Sequence, residues 1–481
     1  MSASPPLDGA AAAGTAPRGI GASARRIFPL AWPVFVGQVS VLAFSTVDTV
    51  LVARHSALDL AALAVGGAAY ITVFIGLMGV VLAVGPTVGQ LFGAKRLPEA
   101  GHELHQAVWL ALALSVLGGL LLAFPAPFLA LAQTEPEVES RVRGYLLALA
   151  FALPASLLFT AYRGFNTAVS RPKAVMTLQL GGLALKVPLS AALVYGMPSI
   201  GLPSLGVVGC GIATLVAMWA QWLIAVAVLR RDPFYAPFAL RAHGRLAPPH
   251  RPSLVALLRL GVPMGLAILI EVTGFTFMAF FISRLGATPV AGHQIAANLV
   301  ALLFMMPLAL ANATSTLVAQ RVGAGDLRDA RRLGWHGVQI AVAIGAAMGS
   351  AVFLAREPIV RAYTDNPVVV AAALPLVAWV ALFHTADAAQ AVAAFVLRAY
   401  RIATVPVVIY ASAIWGVGLA GGYVLAFDSF GIAPIALQGA RGFWIAATAG
   451  LVVAAIGLGA FLAWVLHLQR VKERAALPSR A

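Results

Sequence analysis

Residues 88–100 read VGQLFGAKRLPEA, and residues 318–330 read VAQRVGAGDLRDA. A shift of 230 residues superposes them without a gap, and Val88, Gln90, Gly93, Ala94, Leu97 and Ala100 meet identical partners. The same shift lays LAWP (30–33) on LGVP (260–263), and GVVGCGIA (206–213) meets GARGFWIA (439–446) at a shift of 233. Small residues match by chance in a chain rich in Gly and Ala. Pro, Gln and Gly shared at fixed spacing do not. The chain is therefore read as a duplication.

What is duplicated follows from the surrounding composition. Apolar residues make up 61% of the 481 positions and charged ones 10%, where a soluble domain averages roughly 45–50% and ~25%. Apolar stretches long enough to cross a ~30 Å hydrocarbon core fall at about 27–53, 60–90, 106–131, 144–169, 174–196, 206–229, 257–284, 290–320, 334–355, 367–397, 402–427 and 441–468. Outer-membrane strands alternate polar and apolar residues and do not run apolar for this long. The fold class is all-α integral membrane: twelve transmembrane helices in two parallel six-helix lobes. An even number of spans per half makes the repeats parallel, with a substrate path between the lobes. Residues 1–26 read as a disordered cytoplasmic tail, 27–229 as the first lobe and 257–469 as the second. The Pro-rich, basic stretch 230–256 reads as a cytoplasmic linker, and 470–481 as a cytoplasmic tail.

The net charge of +15 is a topology signal. Assigned alternately to opposite sides, the connections put most of the 32 Lys and Arg on one side, leaving Arg54, Arg141, Arg143, Arg284, Arg356, Arg361 and Arg441 on the other. The positive-inside rule then makes the linker side and both termini cytoplasmic, in a bacterial inner membrane. No nucleic-acid partner is implied, because no aromatic-interleaved basic face remains to be explained. The single cysteine, Cys210, excludes an internal disulfide framework. No G-x-x-x-x-G-K-[ST] run indicates an internal ATPase, and nothing marks an enzyme.

Three carboxylates fall inside spans: Asp48, Glu271 and Asp387. An ionisable group at that depth is a functional candidate by default, since leaving it unpaired costs several kcal/mol. At 100° per residue Gln38, Ser45, Asp48 and Thr49 share a sector of span 1, and His384, Asp387 and Gln390 share one of span 10. Polar stripes of this kind also serve as glue between helices. Glu271 and Asp387 can exchange a proton or, ionised together, coordinate Na⁺. Their repeat-related positions are Val41 and Leu157, so the ion chemistry is asymmetric. Lys186 lies too deep in span 5 to snorkel comfortably. It points into a watery cavity or partners Asp48, the one membrane acid of its half. His293 carries protons or packs, with packing favoured. Pro33 and Pro263 mark possible flex points near the starts of spans 1 and 7.

LAWPVFVGQ with VDT (47–49), VGQLFGA (88–94), RLGVP (259–263), EVT (271–273) and AGHQIAAN (291–298) resemble the multidrug and toxic compound extrusion (MATE) family, in its NorM-like bacterial branch. VAQRVGAG (318–325), YTDN (363–366), ADAAQ (386–390) and LRAYR (397–401) extend the match across residues 27–470. The resemblance implies a V-shaped, two-lobe antiporter that expels organic cations in exchange for Na⁺ or H⁺ and needs no other cofactor. By motif, the family's lobe-one aspartate falls on Asp48 and its cation-site acids on Glu271 and Asp387. Two positions depart from the pattern: KVPLS (186–190) stands where the branch has N-x-P-L-N, and Phe383 stands where many members have Tyr.

The expectation is a monomeric efflux antiporter of cationic amphipathic drugs in the lipid bilayer. Glu271 and Asp387 form the coupling site, as a Na⁺ site if metal-coupled. Asp48, Lys186, Gln38 and His384 are linked to substrate or proton. If Lys186 partners Asp48, coupling rests on the second lobe alone. A lipid-linked precursor flippase is the alternative, and Lys186 is its sole support.

Overall fold

In the computed structural model the described residues are 19–132, 135–198, 201, 203–240, 246–431 and 433–476. Residues 1–18 of the expected N-terminal tail and 477–481 of the expected C-terminal tail lie outside them. Among the described residues twelve helices are long and apolar enough to cross a membrane. In chain order they are α1 (Ile20–His55), α2 (Ala57–Gly93), α3 (Leu97–Ala123), α4 (Pro136–Ala168), α5 (Pro172–Tyr195), α6 (Gly206–Arg231), α7 (Arg251–Ser283), α8 (Ala287–Gly323), α9 (Leu327–Leu354), α10 (Pro367–Ala399), α11 (Thr404–Ala426) and α12 (Gly439–Ala476). α5, with 24 residues, reaches about 36 Å at 1.5 Å per residue.

Punctuation in the sequence explains most boundaries. Pro98, Pro172 and Pro367 open α3, α5 and α10, where the missing N–H would have had no partner. Ser56, Asp326 and Asn366 cap α2, α9 and α10 by accepting from the backbone N–H of Asp59, Asp329 and Val368. Pro86 cannot donate to Leu82, and α2 is interrupted there at Leu82–Ala83. Four repeat-related helix ends close alike, with Arg96, Arg171, Asp326 and Ile402 donating N–H groups to the carbonyls of Leu91, Asn166, Arg321 and Leu397 at 2.8–3.0 Å. This closure needs a left-handed residue. Gly325 supplies it at one end, and Lys95, Ser170 and Arg401 adopt it at the others at about 1 kcal/mol each.

Several boundaries differ from the reading of the sequence: α4 and α9 begin earlier, at Pro136 and Leu327, the linker ends where α7 starts at Arg251, and α12 runs on to Ala476, into the expected C-terminal tail. The N-terminal tail stops short of residue 26, because α1 begins at Ile20. Ser23 bonds the His336 ring at 2.7 Å and Arg26 bonds Asp329 at 2.8 Å, so α9 holds that first turn in place. The third span runs from Leu97 to Ala123 instead of 106–131. Pro125 ends it, and Ala126–Ala132 form a separate short helix. Apolarity alone misses polar helix turns that lie outside the hydrocarbon.

The linker is docked on the first lobe. Asp232 bonds Arg171, whose guanidinium lies 4.4 Å over the Phe234 ring. Burial would raise the Asp232 carboxyl, but the Phe234 N–H and Arg171 hold it below its ordinary range. Tyr235 donates to Asn166 at 2.5 Å, and Trp109 donates to the Ala247 carbonyl at 2.9 Å. At the opposite end of this lobe, buried Asp59 is clamped by Arg141 at 2.6 Å and His55 at 2.7 Å.

The lobes meet along a seam at the linker end. Gly93 faces the Gln320 carbonyl, and its repeat mate Gly323 faces the Gln90 carbonyl. The same two glutamines reach across with their side chains: Gln90 donates to Ala399 O at 2.8 Å, and Gln320 donates to Ala168 O at 2.7 Å. Each satisfies a carbonyl at the end of the other lobe's helix, where no helical N–H is available. Gly79 lies against Gly265, and Gly261 against the Val80 carbonyl. The motif that revealed the duplication is thus the contact between its copies.

Candidate functional site

α1 and α5 bring Asp48 and Lys186 together inside the first lobe. The Lys186 ammonium donates to Asp48 Oδ2 at 2.6 Å and to the Phe44 carbonyl at 3.4 Å, and lies 4.8 Å from the Phe44 ring centroid. Ser190 donates to Asp48 Oδ1 at 3.3 Å. Lys186 is 2% exposed and Asp48 4%, so the charges neutralise one another away from bulk water. Both residues that depart from the family's N-x-P-L-N pattern therefore bind Asp48, and Lys186 does not stand free in a cavity. Losing one partner of such a pair is expensive, about 3–5 kcal/mol, because the other charge stays buried.

The polar sector expected on α1 does not act as one unit. Ser45 and Thr49 are exposed and bond back to the Leu42 and Ser45 carbonyls, while Asp48 turns into the lobe. Gln38 lies about 15 Å along the helix from Asp48 and joins no part of its cluster. A sector 100° wide holds side chains that face different neighbours.

In the second lobe, Glu271 of α7 and Asp387 of α10 meet at Gln390. Its amide nitrogen donates to Asp387 Oδ1 at 2.8 Å and to Glu271 Oε1 at 3.3 Å. Tyr410 of α11 donates its hydroxyl to Gln390 Oε1. Asp387 is 4% exposed, whereas Glu271 is only half-buried. One acid of the pair is therefore accessible and the other enclosed. Neither is bonded to a basic side chain among the described residues, although the field of buried Arg398 reaches Glu271. The site offers carboxylate oxygens and an amide oxygen, with a phenol beside them. It can take up a proton or a small hard cation, which favours oxygen donors.

Local sequence explains how these groups are aimed. α10 reads HTADAAQAVAA (384–394), and its alanines allow α9 to approach so closely that Gly345 touches Ala388 and the His384 carbonyl. α11 widens into a π-helical stretch at Ala411–Ala420, a distortion that recurs at functional sites. Trp415 within it donates to the Ile270 carbonyl at 3.2 Å, tying α11 beside Glu271.

Tyr410 was not singled out in the sequence. Its one signal is a lone phenol in the apolar run VPVVIYASAIW (405–415). It answers the missing oxygen at Phe383, which packs against Phe275 and Trp444 with centroids 5.7 and 5.6 Å away. Arg398, counted with the loop charges, is instead buried in α10, over the Phe395 ring at 4.3 Å. His384 does not join the acid pair. It is fully buried, and neither ring nitrogen has a hydrogen-bond partner among the described residues. Trp444 donates to His293 Nδ1 at 3.3 Å in the same aromatic cluster as Phe383, consistent with packing.

The MatE family model matches residues 33–192 and 263–424, once in each lobe. The chain is 41% identical over 445 residues to the "Probable multidrug resistance protein NorM" of Aromatoleum aromaticum, covering 92% of this chain and 94% of that one. It is 35% identical to "Multidrug resistance protein PmpM" of Pseudomonas aeruginosa, over 91% of both chains. Its fold is shared with the crystal structure of the Vibrio cholerae MATE transporter VcmN in the bent form, at a TM-score of 0.82 and 18% identity, over 94% of this chain and 99% of that one. The eukaryotic MATE transporter AtDTX14 is alike at a TM-score of 0.82 and 20% identity, over 95% and 99%. With a family match in each half and relatives that align along nearly its whole length, the chain belongs to the MatE family.

Proposed function

We propose that the chain is a secondary active multidrug exporter that expels cationic amphipathic drugs in exchange for Na⁺ or H⁺. It works as a monomer by alternating access of its two lobes and catalyses no covalent chemistry. The observation that carries this reading is the pair Glu271 and Asp387, joined by Gln390 and bonded to no basic side chain among the described residues. A cation entering at half-buried Glu271 reaches enclosed Asp387, and its charge offsets the repulsion between the two carboxylates. An inward-moving charge gains about 2.3 kcal/mol per 100 mV, enough to bias a few-kcal/mol equilibrium between conformations. The names of the similar proteins support drug efflux.

The basic residues on the linker side support a cytoplasmic linker and cytoplasmic termini in the inner membrane. With the seam closed at that end, the state described here is the one that releases substrate outward. The flippase alternative loses ground, because the Lys186 charge that a lipid phosphate would need is taken by Asp48. The test is ethidium efflux from membrane vesicles with Na⁺ and pH gradients imposed separately. Transport driven by either gradient, and lost in Glu271→Gln and Asp387→Asn, is expected. Absence of efflux under both gradients would overturn the proposal.

A further inference from the structure

Arg398 lies at the linker end of α10, on the same helix as Asp387. At 1.5 Å per residue the two are about 16 Å apart along the axis. The Cα–Cβ bonds of a helix tilt toward its N-terminus, so a long side chain at this end reaches back toward the acids. The guanidinium does so: it lies 4.3 Å from the Phe395 ring centroid, one turn nearer Asp387. Arg398 is 5% exposed, and its Nη1 has no hydrogen-bond partner among the described residues. No carboxylate among them bonds it, yet its field reaches Glu271 and Tyr410.

The other groups around the acid pair carry no fixed positive charge. Gln390 and Tyr410 are neutral partners. His384 bonds neither acid, and His293 is engaged by Trp444. α9 presents backbone at Gly345. The first lobe places its base differently. Lys186 stands 2.6 Å from Asp48 and cancels it. The closures of Arg171 on Asn166 and of Ile402 on Leu397 are related by a shift of 231 residues. At that shift Arg398 falls on Thr167, whose hydroxyl bonds back to the Arg163 carbonyl. The distant base therefore accompanies the acid pair. A base in contact with a carboxylate removes its use for a cation, whereas one about 10 Å away, at an effective dielectric constant of about 20, weakens cation binding about tenfold. Binding that is to be followed by release has to be limited in this way.

We propose that Arg398 sets the cation affinity of the acid pair: a resident positive charge, bonded to neither Glu271 nor Asp387, that weakens their hold on the coupling ion so that the ion leaves in each cycle. Arg398 touches neither ion nor drug and acts only through the two acids. The inference rests on the reading of that pair as the coupling site.

The test uses the purified full-length protein in an uncharged detergent, titrated with Na⁺ at constant ionic strength and separately with pH. Thermal melting is the readout, since an ion that binds the folded state stabilises it. The part of the response lost in Glu271→Gln/Asp387→Asn belongs to the pair. Arg398→Met removes the charge and keeps an unbranched side chain. Its midpoint should fall about tenfold in Na⁺ concentration, or move up by about one pH unit if the ion is H⁺. Arg398→Lys keeps the charge and should stay within about threefold of the parent on the same basis. Arg398→Gln replaces Arg398→Met if the latter does not fold. An unchanged midpoint in a folded, uncharged variant would overturn the proposal. So would an equal shift in Arg398→Lys, which would make the residue one of packing, or a parent that responds to neither ion through the pair. Melting reads ion binding without transport, so absence of efflux with these shifts intact would overturn the exporter reading and still support the role of Arg398.

Discussion

Asp48 and Lys186 neutralise each other inside the first lobe, and this changes what a substitution there reports. Asp48→Asn leaves a lysine buried without its counter-charge, so a loss of transport would measure damage to the lobe and not the loss of a coupling group. The expected outcome is a destabilisation of about 3–5 kcal/mol, read as a lowered melting temperature. Asp48→Asn/Lys186→Gln should recover most of that stability and retain ion-driven ethidium efflux. If the double variant folds but cannot couple, Asp48 has a part in coupling after all. Tyr410 makes the complementary case, since its hydroxyl serves Gln390 and through it both acids. Tyr410→Phe should express normally and weaken the dependence of efflux on the coupling ion about fivefold, the usual worth of one hydrogen bond of about 1 kcal/mol. The measurement is the ion concentration that gives half-maximal efflux.

Hydrogen bonds at helix ends add to the mid-helix contact of Gly79 with Gly265 in holding the lobes together. Gln90 on α2 and Gln320 on α8 each satisfy a terminal carbonyl of the opposite lobe, and Gly93 and Gly323 let the backbones approach. Opening this end requires breaking both bonds. Gln90→Ala/Gln320→Ala should therefore raise the population open at the linker side roughly tenfold or more, at about 1 kcal/mol per bond. A cysteine at Ala319, buried against Gly89, would report it through faster maleimide labelling. Native Cys210 is buried and contributes little background. The π-helical stretch of α11 acts differently: it sets the register at which Tyr410 and Trp415 meet α7 and α10.

The duplicated molecule is symmetric in its frame and asymmetric in its chemistry. The seam, the four helix closures and the twelve spans repeat between lobes, while the acid pair lies only in the second and the docked linker only on the first. Both follow from which copy kept which side chains, as with Val41 and Leu157 opposite the two acids. Topology is testable at this level. A cysteine at exposed Pro249 in the linker should react with a membrane-impermeant maleimide only after cells are permeabilised. One at exposed Glu357, in the short helix Arg356–Tyr363, should react in intact cells. The reverse pattern would invert the orientation drawn from the basic residues.

The number of spans, the duplication, the three membrane acids and the basic side were legible in the residues themselves, because burial in hydrocarbon imposes long apolar runs and makes each buried charge conspicuous. What remained hidden depends on distance in three dimensions. A helical sector could not separate Asp48 from Ser45 and Thr49, or His384 from Asp387, since it does not say which neighbour a side chain meets. Tyr410, remote from both acids in sequence, reached their site only through the packing of α11. The choice between a free and a neutralised Lys186 likewise awaited the contact of α5 with α1, because an ionic bond 2.6 Å long joins residues that no local pattern connects.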